Sequence, residues 1–272
     1  MVPLDPEDTR ETLRRLAPAA APGLLALKHA LAFRSPGLWG DAPTAPRSVL
    51  LVREGDGRLE AFGAGEPEPS VGWLVGQLRR FSLVAPGAWL DAVRDRLGAV
   101  DEDAVETWSG GPGPSNPPSV VARRLTSHDL AGFLAASPPW GLRGWRSYPA
   151  MIAHAAAFGV THGPGFAALA WVFDRADPYD AVSVYTVPRY RRLGLGRAAA
   201  SALTAHIVHG CGRVPLWSTR TDNAPSRALA RSLGFSPAAV ETVVRWPPRS
   251  SGETGDPREE TGDRRQETGG RQ

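Results

Sequence analysis

Residues 183–198 read SVYTVPRYRRLGLGRA, and their order decides how the chain is built: a β-branched run that ends at Val187, an arginine-rich turn, and two glycines opening a helical pattern. A turn of this kind aims free backbone N–H groups and the positive end of a helix dipole at one spot, which suits a pyrophosphate. Gly194 and Gly196 are expected to let the backbone approach phosphates with no Cβ in the way. Arg189, Arg191, Arg192 and Arg197 can add charge-assisted hydrogen bonds to phosphate oxygens. Gly-x-Gly alone is weak evidence, and a solvated helix end explains the arginines equally well.

Working outward, the flanking segments set an alternating pattern. Val120–Leu125 reads as a strand, Ser127 as the cap of a helix to about Ala136, and Trp145–Ala157 as a second helix. Phe158–Thr161 and Phe166–Phe173 bracket a His162-Gly163-Pro164-Gly165 turn, and Ala181–Val187 follows as the third successive strand. A helix at 195–209, a strand at 214–219, a helix at 224–233 and a strand at 239–245 complete the order β-αα-βββ-α-β-α-β.

Downstream, residues 223–235 read NAPSRALARSLGF. With Arg191-x-x-Gly194-x-Gly196 after a strand, this stretch resembles the paired motifs of the GCN5-related N-acetyltransferase (GNAT) family over about residues 119–246. His154–Val160, Thr186 and the 215–223 segment are similar to a two-domain bacterial subgroup related in architecture to glycine N-acyltransferase-like enzymes. In that subgroup the N-terminal half is itself a degenerate GNAT-like unit.

The resemblance implies an α/β fold, with a mixed, mostly antiparallel sheet flanked by helices in residues 119–248 and a smaller α/β half in residues 1–112. It also implies acetyl-CoA or another acyl-CoA as cofactor, and direct attack of an amine on the thioester in a ternary complex. The cofactor would lie against Tyr185, Thr186 and Val187, along the turn from Arg191 through Arg192, Leu193, Gly194, Leu195 and Gly196 to Arg197, and beside Asn223 and Ser226. The Val187 N–H is the expected donor to the thioester carbonyl.

Many members of the family have a tyrosine where this chain has Ala230. Ser226, Tyr185 and Tyr190 are left as candidates to protonate the departing thiolate, with Ser226 equally readable as a small residue packed against the cofactor. Asp180, His154, His162 or an ordered water remain as candidate bases. The 138–148 loop, with Trp140, Trp145 and Tyr148, either grips the acceptor or seals the junction between the halves. A catalytically silent acyl-CoA sensor is the alternative to an N-acetyltransferase of a small or peptide amine.

Composition narrows the remaining classes. The single cysteine, Cys211, rules out an intramolecular disulfide and reads as an inert core thiol. The six histidines form no HExxH pair, so no metal is expected. Net charge is +3, and Lys28 is the only lysine among 31 basic residues, without the basic block a nucleic-acid binder carries. No apolar run reaches the ~20 residues of a membrane span and the N-terminus is polar and acidic, so a cytoplasmic protein without membrane partners is expected.

In the N-terminal half, a helix from Asp5-Pro6 to Leu16 and another at 23–34 precede strands 48–53 and 58–62 around an Asp-Gly turn. Helical patterns at 71–81 and 88–97 and a strand at 104–108 follow. Residues 109–118, SGGPGPSNPP, read as the connection between the halves, with 113–118 as the linker proper. Residues 249–272 carry nothing to bury and read as a disordered low-complexity tail.

Overall fold

The computed structural model describes residues 1–5, 11, 25–33, 37–54, 59–68, 70–77, 80–111, 113, 120–138 and 140–248. The first expected helix, the turn at 55–58, most of the linker and the tail lie outside the described residues.

The elements run in chain order as β1 (Val2–Pro3), α1 (Leu25–Ala32), β2 (Leu38–Gly40), β3 (Ser48–Glu54), β4 (Leu59–Gly65), α2 (Ser70–Gln77), β5 (Phe81–Val84), α3 (Gly87–Leu97) and β6 (Asp101–Gly110). The second half continues with β7 (Arg123–Arg124), α4 (Leu130–Ala136), α5 (Tyr148–His154), β8 (Ala157–His162), β9 (Gly165–Ala176), β10 (Tyr179–Thr186), α6 (Leu195–Ala205), β11 (Val214–Arg220), α7 (Ala224–Ser232) and β12 (Phe235–Trp246). All the strands belong to one sheet of order β1-β2-β3-β4-β5-β12-β6-β11-β10-β9-β8-β7.

That order contains an exchange. Each half has one parallel pair, β4 with β5 and β10 with β11. The next strand of each half then crosses over: β6 lies antiparallel to β11, β12 lies antiparallel to β5, and β6 and β12 pair with each other between them. The halves are thus related by an approximate two-fold pattern of pairing in which each supplies the strand that covers the other's open edge. Pro237, which cannot donate to a ladder, is accommodated by a bulge between Pro237 and Ala239.

Several expectations are corrected. Phe81 lies in β5, not at the end of a helix; the run 71–81 mixes a helix that stops at Gln77 with a short strand, too short for periodicity to separate. Of the 120–125 strand only Arg123–Arg124 pairs. Thr126, not Ser127, caps the following 3₁₀ turn, in a reciprocal box with Asp129. Residues 145–147 precede α5, which Ser147 caps. The helix expected at 195–209 is α6 to Ala205, continued as a π turn over His206–Gly210.

The sheet separates two kinds of face. On one face of the N-terminal strands, Leu50, Ala61, Leu83 and Val244 pack against Trp89 of α3 and Leu74 of α2. On the other, Val49, Leu51, Phe62 and Ala64 pack against Ala26, Leu27, Ala30 and Leu31 of α1. Helix α1 also reaches the second half, where Leu25 packs with Ala176, Ala181 and Leu216. His29 of α1 is completely buried and ties the halves together: its Nδ1 accepts from the Arg175 backbone N–H (2.8 Å), and its Nε2 donates to the Gly144 carbonyl (2.7 Å).

Candidate active site

Strands β10 and β11 are hydrogen-bonded only from Tyr179–Ala181 to Val214–Leu216, and beyond that point they diverge. The ladder on the other side of β10 fixes what faces the gap. The Val187 N–H donates to the Ala167 carbonyl (2.9 Å), so the amides of Tyr185 and Ser183 also turn toward β9. The amides of Val184 and Thr186 then face the opened side. This corrects the expectation for Val187, whose N–H is consumed by the sheet.

At the end of β10 the chain makes a 3₁₀ turn over Pro188–Tyr190 and enters α6 through residues in left-handed conformation, Arg192 at φ +67° and Gly194 at φ +76°. Gly194 caps the helix with open space where a Cβ would point. Gly196 has a packing reason as well: a Cβ there would sit 2.6 Å from Thr186 Oγ1, so the glycine lets α6 lie close against β10. Arg191, Arg192 and Arg197 are exposed around this helix start.

The gap opens into a cavity of about 840 Å³. Of the expected cofactor residues, Tyr185, Thr186, Arg191, Arg192 and Gly194 line it. So do Leu195, Gly196, Arg197, Asn223 and Ser226. Val187 and Leu193 do not; Leu193 is 58% exposed on the outside of the turn. Asn223 caps α7, its Oδ1 accepting from the Ser226 N–H (3.1 Å). The Ser226 hydroxyl accepts from the Trp217 indole N–H (3.0 Å), which leaves its own proton available to an acceptor in the cavity. Ala230 is fully buried.

The three protein groups considered as bases lie elsewhere. Asp180 is buried in a bidentate pair with Arg175 (2.7 and 2.6 Å) and also accepts from Arg213 (2.9 Å). His154 is exposed at the end of α5, and His162 is exposed with its ring 4.9 Å from that of Tyr190. The carboxylates that line the cavity are Glu60 on β4, Asp174 on β9 and Glu241 on β12. They stand outside the motifs that direct a reading from sequence. The available signal was a charge at an inward position of an apolar strand, as in Leu59-Glu-Ala-Phe62.

The 138–148 loop divides its roles. Trp145 is buried against His29 and Phe33, with its indole N–H donating to the Val172 carbonyl (2.9 Å), and Tyr148 donates to the Thr126 carbonyl (2.8 Å). Burial pushes the Tyr148 phenol up to about 12. Trp140 and Arg143 instead line the cavity. Cys211, expected in the core, is exposed, and no metal-holding cluster of His, Cys, Asp and Glu occurs among the described residues. None of the described helices is long and apolar enough to cross a membrane.

Among the described residues the N-terminal half repeats this order of elements with different side chains at the matching positions. The turn after β4 carries Glu66, Pro67 and Glu68 where the turn after β10 carries arginines and glycines. Trp89, third residue of α3 as Ser226 is of α7, is fully buried over Gly63, and its indole N–H donates to the Gly65 carbonyl at the end of β4 (2.8 Å). An indole therefore fills the place that a serine leaves open.

Comparison with known proteins agrees with this geometry. The FR47-like protein family matches residues 157–244. An uncharacterised N-acetyltransferase from the mutA 5′ region of Streptomyces virginiae is 28% identical over 240 residues, 86% of this chain and 99% of that protein. A GCN5-related N-acetyltransferase-like protein of Streptococcus suis superposes with a TM-score of 0.66 at 19% identity, covering 87% of this chain and 98% of the other. A tandem GNAT protein from the clavulanic acid biosynthesis pathway superposes with a TM-score of 0.56 at 15% identity, over 90% and 97% of the two chains. With the splayed β10–β11 pair, the turn into α6 and the paired halves, the chain has the fold of the GCN5-related N-acetyltransferases in a two-domain arrangement, and it is similar in sequence to an N-acetyltransferase.

Proposed function

We propose that the protein transfers an acyl group from acetyl-CoA, or another acyl-CoA, to an amine in a ternary complex. The observation that carries this reading is the gap between β10 and β11. It leaves the Val184 and Thr186 amides facing a cavity whose near end is the arginine-rich start of α6. A pantetheine arm needs backbone donors along an extended path, and a pyrophosphate needs a helix start with positive charge; these residues fit both.

In this reading Arg191, Arg192 and Arg197, with the first free N–H groups of α6, hold the pyrophosphate. The Val184 N–H, in place of that of Val187, polarises the thioester carbonyl. The acyl-CoA supplies an activated acyl group: the amine nitrogen bonds to the carbonyl carbon, the C–S bond breaks, and the amine proton leaves as the thiolate gains one. Ser226, held by Trp217, is placed to donate to the sulfur, with Tyr185 the neighbouring alternative on β10. Positioning supplies much of the remaining rate.

Thermal unfolding tests the reading. A ligand that binds only the folded state stabilises by about 2.7 kcal/mol at 100 times its dissociation constant, a visible shift. Acetyl-CoA and CoA should both produce it, and adenosine should not, since the contacts are to phosphate. Arg191→Glu reverses the charge at an exposed position, so it should remove most of the shift while the unliganded protein melts as before. No shift with acetyl-CoA at millimolar concentration would refute the proposal.

A further inference from the structure

The far end of the cavity is built from the N-terminal half and the exchanged strands. Cross-strand register sets Arg53, Glu60, Ser82 and Arg245 side by side across β3, β4, β5 and β12. On the same face it sets Glu241, Val105 and Arg220 across β12, β6 and β11. All of these line the cavity, and a polar band therefore runs from the N-terminal strands to the edge of the β10–β11 gap.

Its charges are matched. Arg53 makes a bidentate pair with Asp174 (2.8 and 2.9 Å) and reaches Glu60 (3.4 Å); Arg143 also pairs with Glu60. Arg220 (3.4 Å) and Arg245 both pair with Asp103, and Arg220 also makes a bidentate pair with Asp222. With Glu241, this end of the cavity sets guanidiniums and carboxylates side by side. Phe62, Val84 and Val243 stand between the charged rows and give the wall an apolar strip.

The band is not a surface groove. The Arg53, Arg143, Arg220 and Arg245 side chains are only 12%, 10%, 15% and 16% exposed. Leu25 and Ala26 of α1 and Trp140 and Arg143 of the following half also line the cavity, with Arg143 paired to Glu60. A folded protein or a broad peptide surface cannot lie against such a wall, whereas a molecule of a few heavy atoms can.

We infer that this wall is the acceptor subsite and that the acceptor is a small zwitterionic amine on an apolar frame. This inference rests on the acyl-transfer reading above. A wall with adjacent charges of both signs offers each pole of a zwitterion an opposite charge. It confronts a polyamine with guanidiniums and a polyanion with carboxylates, so both are discriminated against. The apolar strip takes the frame. Acceptor choice then lies with residues of β4, β5 and β12, far in sequence from the cofactor motif.

The test measures acetyl-CoA-dependent thiol release with leucine and phenylalanine as zwitterions, spermidine as polycation, and a lysine-rich peptide. The zwitterions should be used at least tenfold better in kcat/KM. Val84→Phe narrows the strip, and Glu60→Gln unbalances the band; each should raise the zwitterion KM about tenfold while the acetyl-CoA melting shift persists. Best turnover of spermidine or the peptide overturns the inference. So does a zwitterion KM within twofold of the parent in both variants, or a melting shift with acetyl-CoA but no turnover of either zwitterion. Absence of that shift refutes the acyl-transfer reading itself and the inference with it.

Discussion

At the scale of single residues the cleft is governed by what is small and what is hydrogen-bonded. Ser226 and Trp89 occupy the same position of equivalent helices, and the indole fills in one half the place that the hydroxymethyl group leaves open to the cavity in the other. Because the Ser226 oxygen already accepts from Trp217, its proton is directed away from the indole. Ser226→Ala should lower kcat by about 10²-fold, the low end for a lost proton donor, with CoA affinity nearly unchanged. Steady-state kinetics beside calorimetric CoA binding separates this from packing, for which affinity and rate would fall together. The motif around Ser226 was legible because its spacing is local. The packing reason for Gly196 was not legible, because the Thr186 hydroxyl 2.6 Å from a would-be Cβ belongs to another element.

At the scale of elements, α1 is the piece that binds the halves, and its grip is sensitive to acid. Burial holds the His29 imidazole below its usual pKa, with Asp174 opposing and Arg53 adding to the effect. Its two hydrogen bonds require the neutral ring with a proton on Nε2. An unfolded histidine titrates near pH 6.5, so the unfolded chain takes up the proton first. The stability His29 provides is therefore fully present above about pH 6.5 and is lost as pH falls through its lower folded value. Melting curves from pH 7.5 to 5 should show the parent approaching His29→Gln in stability as pH drops. A stability difference that stays constant over that range would exclude the imidazole as the source.

Across the whole molecule, the exchange of β6 and β12 makes one folding unit from two similar halves. Without β6, strands β11 and β12 lose their shared partner and expose two long edges. A fragment of residues 119–248 should accordingly fail to give a soluble monomer, and the full chain should unfold in a single calorimetric transition. Two separate transitions, or a well-folded fragment, would show that the exchanged strands add little.

The sequence by itself determined the C-terminal order of strands and helices, the arginine- and glycine-rich turn from Arg191 to Arg197 as the start of a helix, and the cap at Asn223. These depend on contacts within a few residues, where capping, glycine conformation and apolar period act directly on the neighbouring backbone. Short strands such as β2 and β5 escaped because three or four residues carry no period. Only the tertiary structure decided that β6 crosses into the other half, that Val184 rather than Val187 offers its amide, and that Glu60, Asp174 and Glu241 meet at one cavity. Strand register and the closing of two halves across more than 100 residues are set by the burial of whole faces, and no local spacing encodes them.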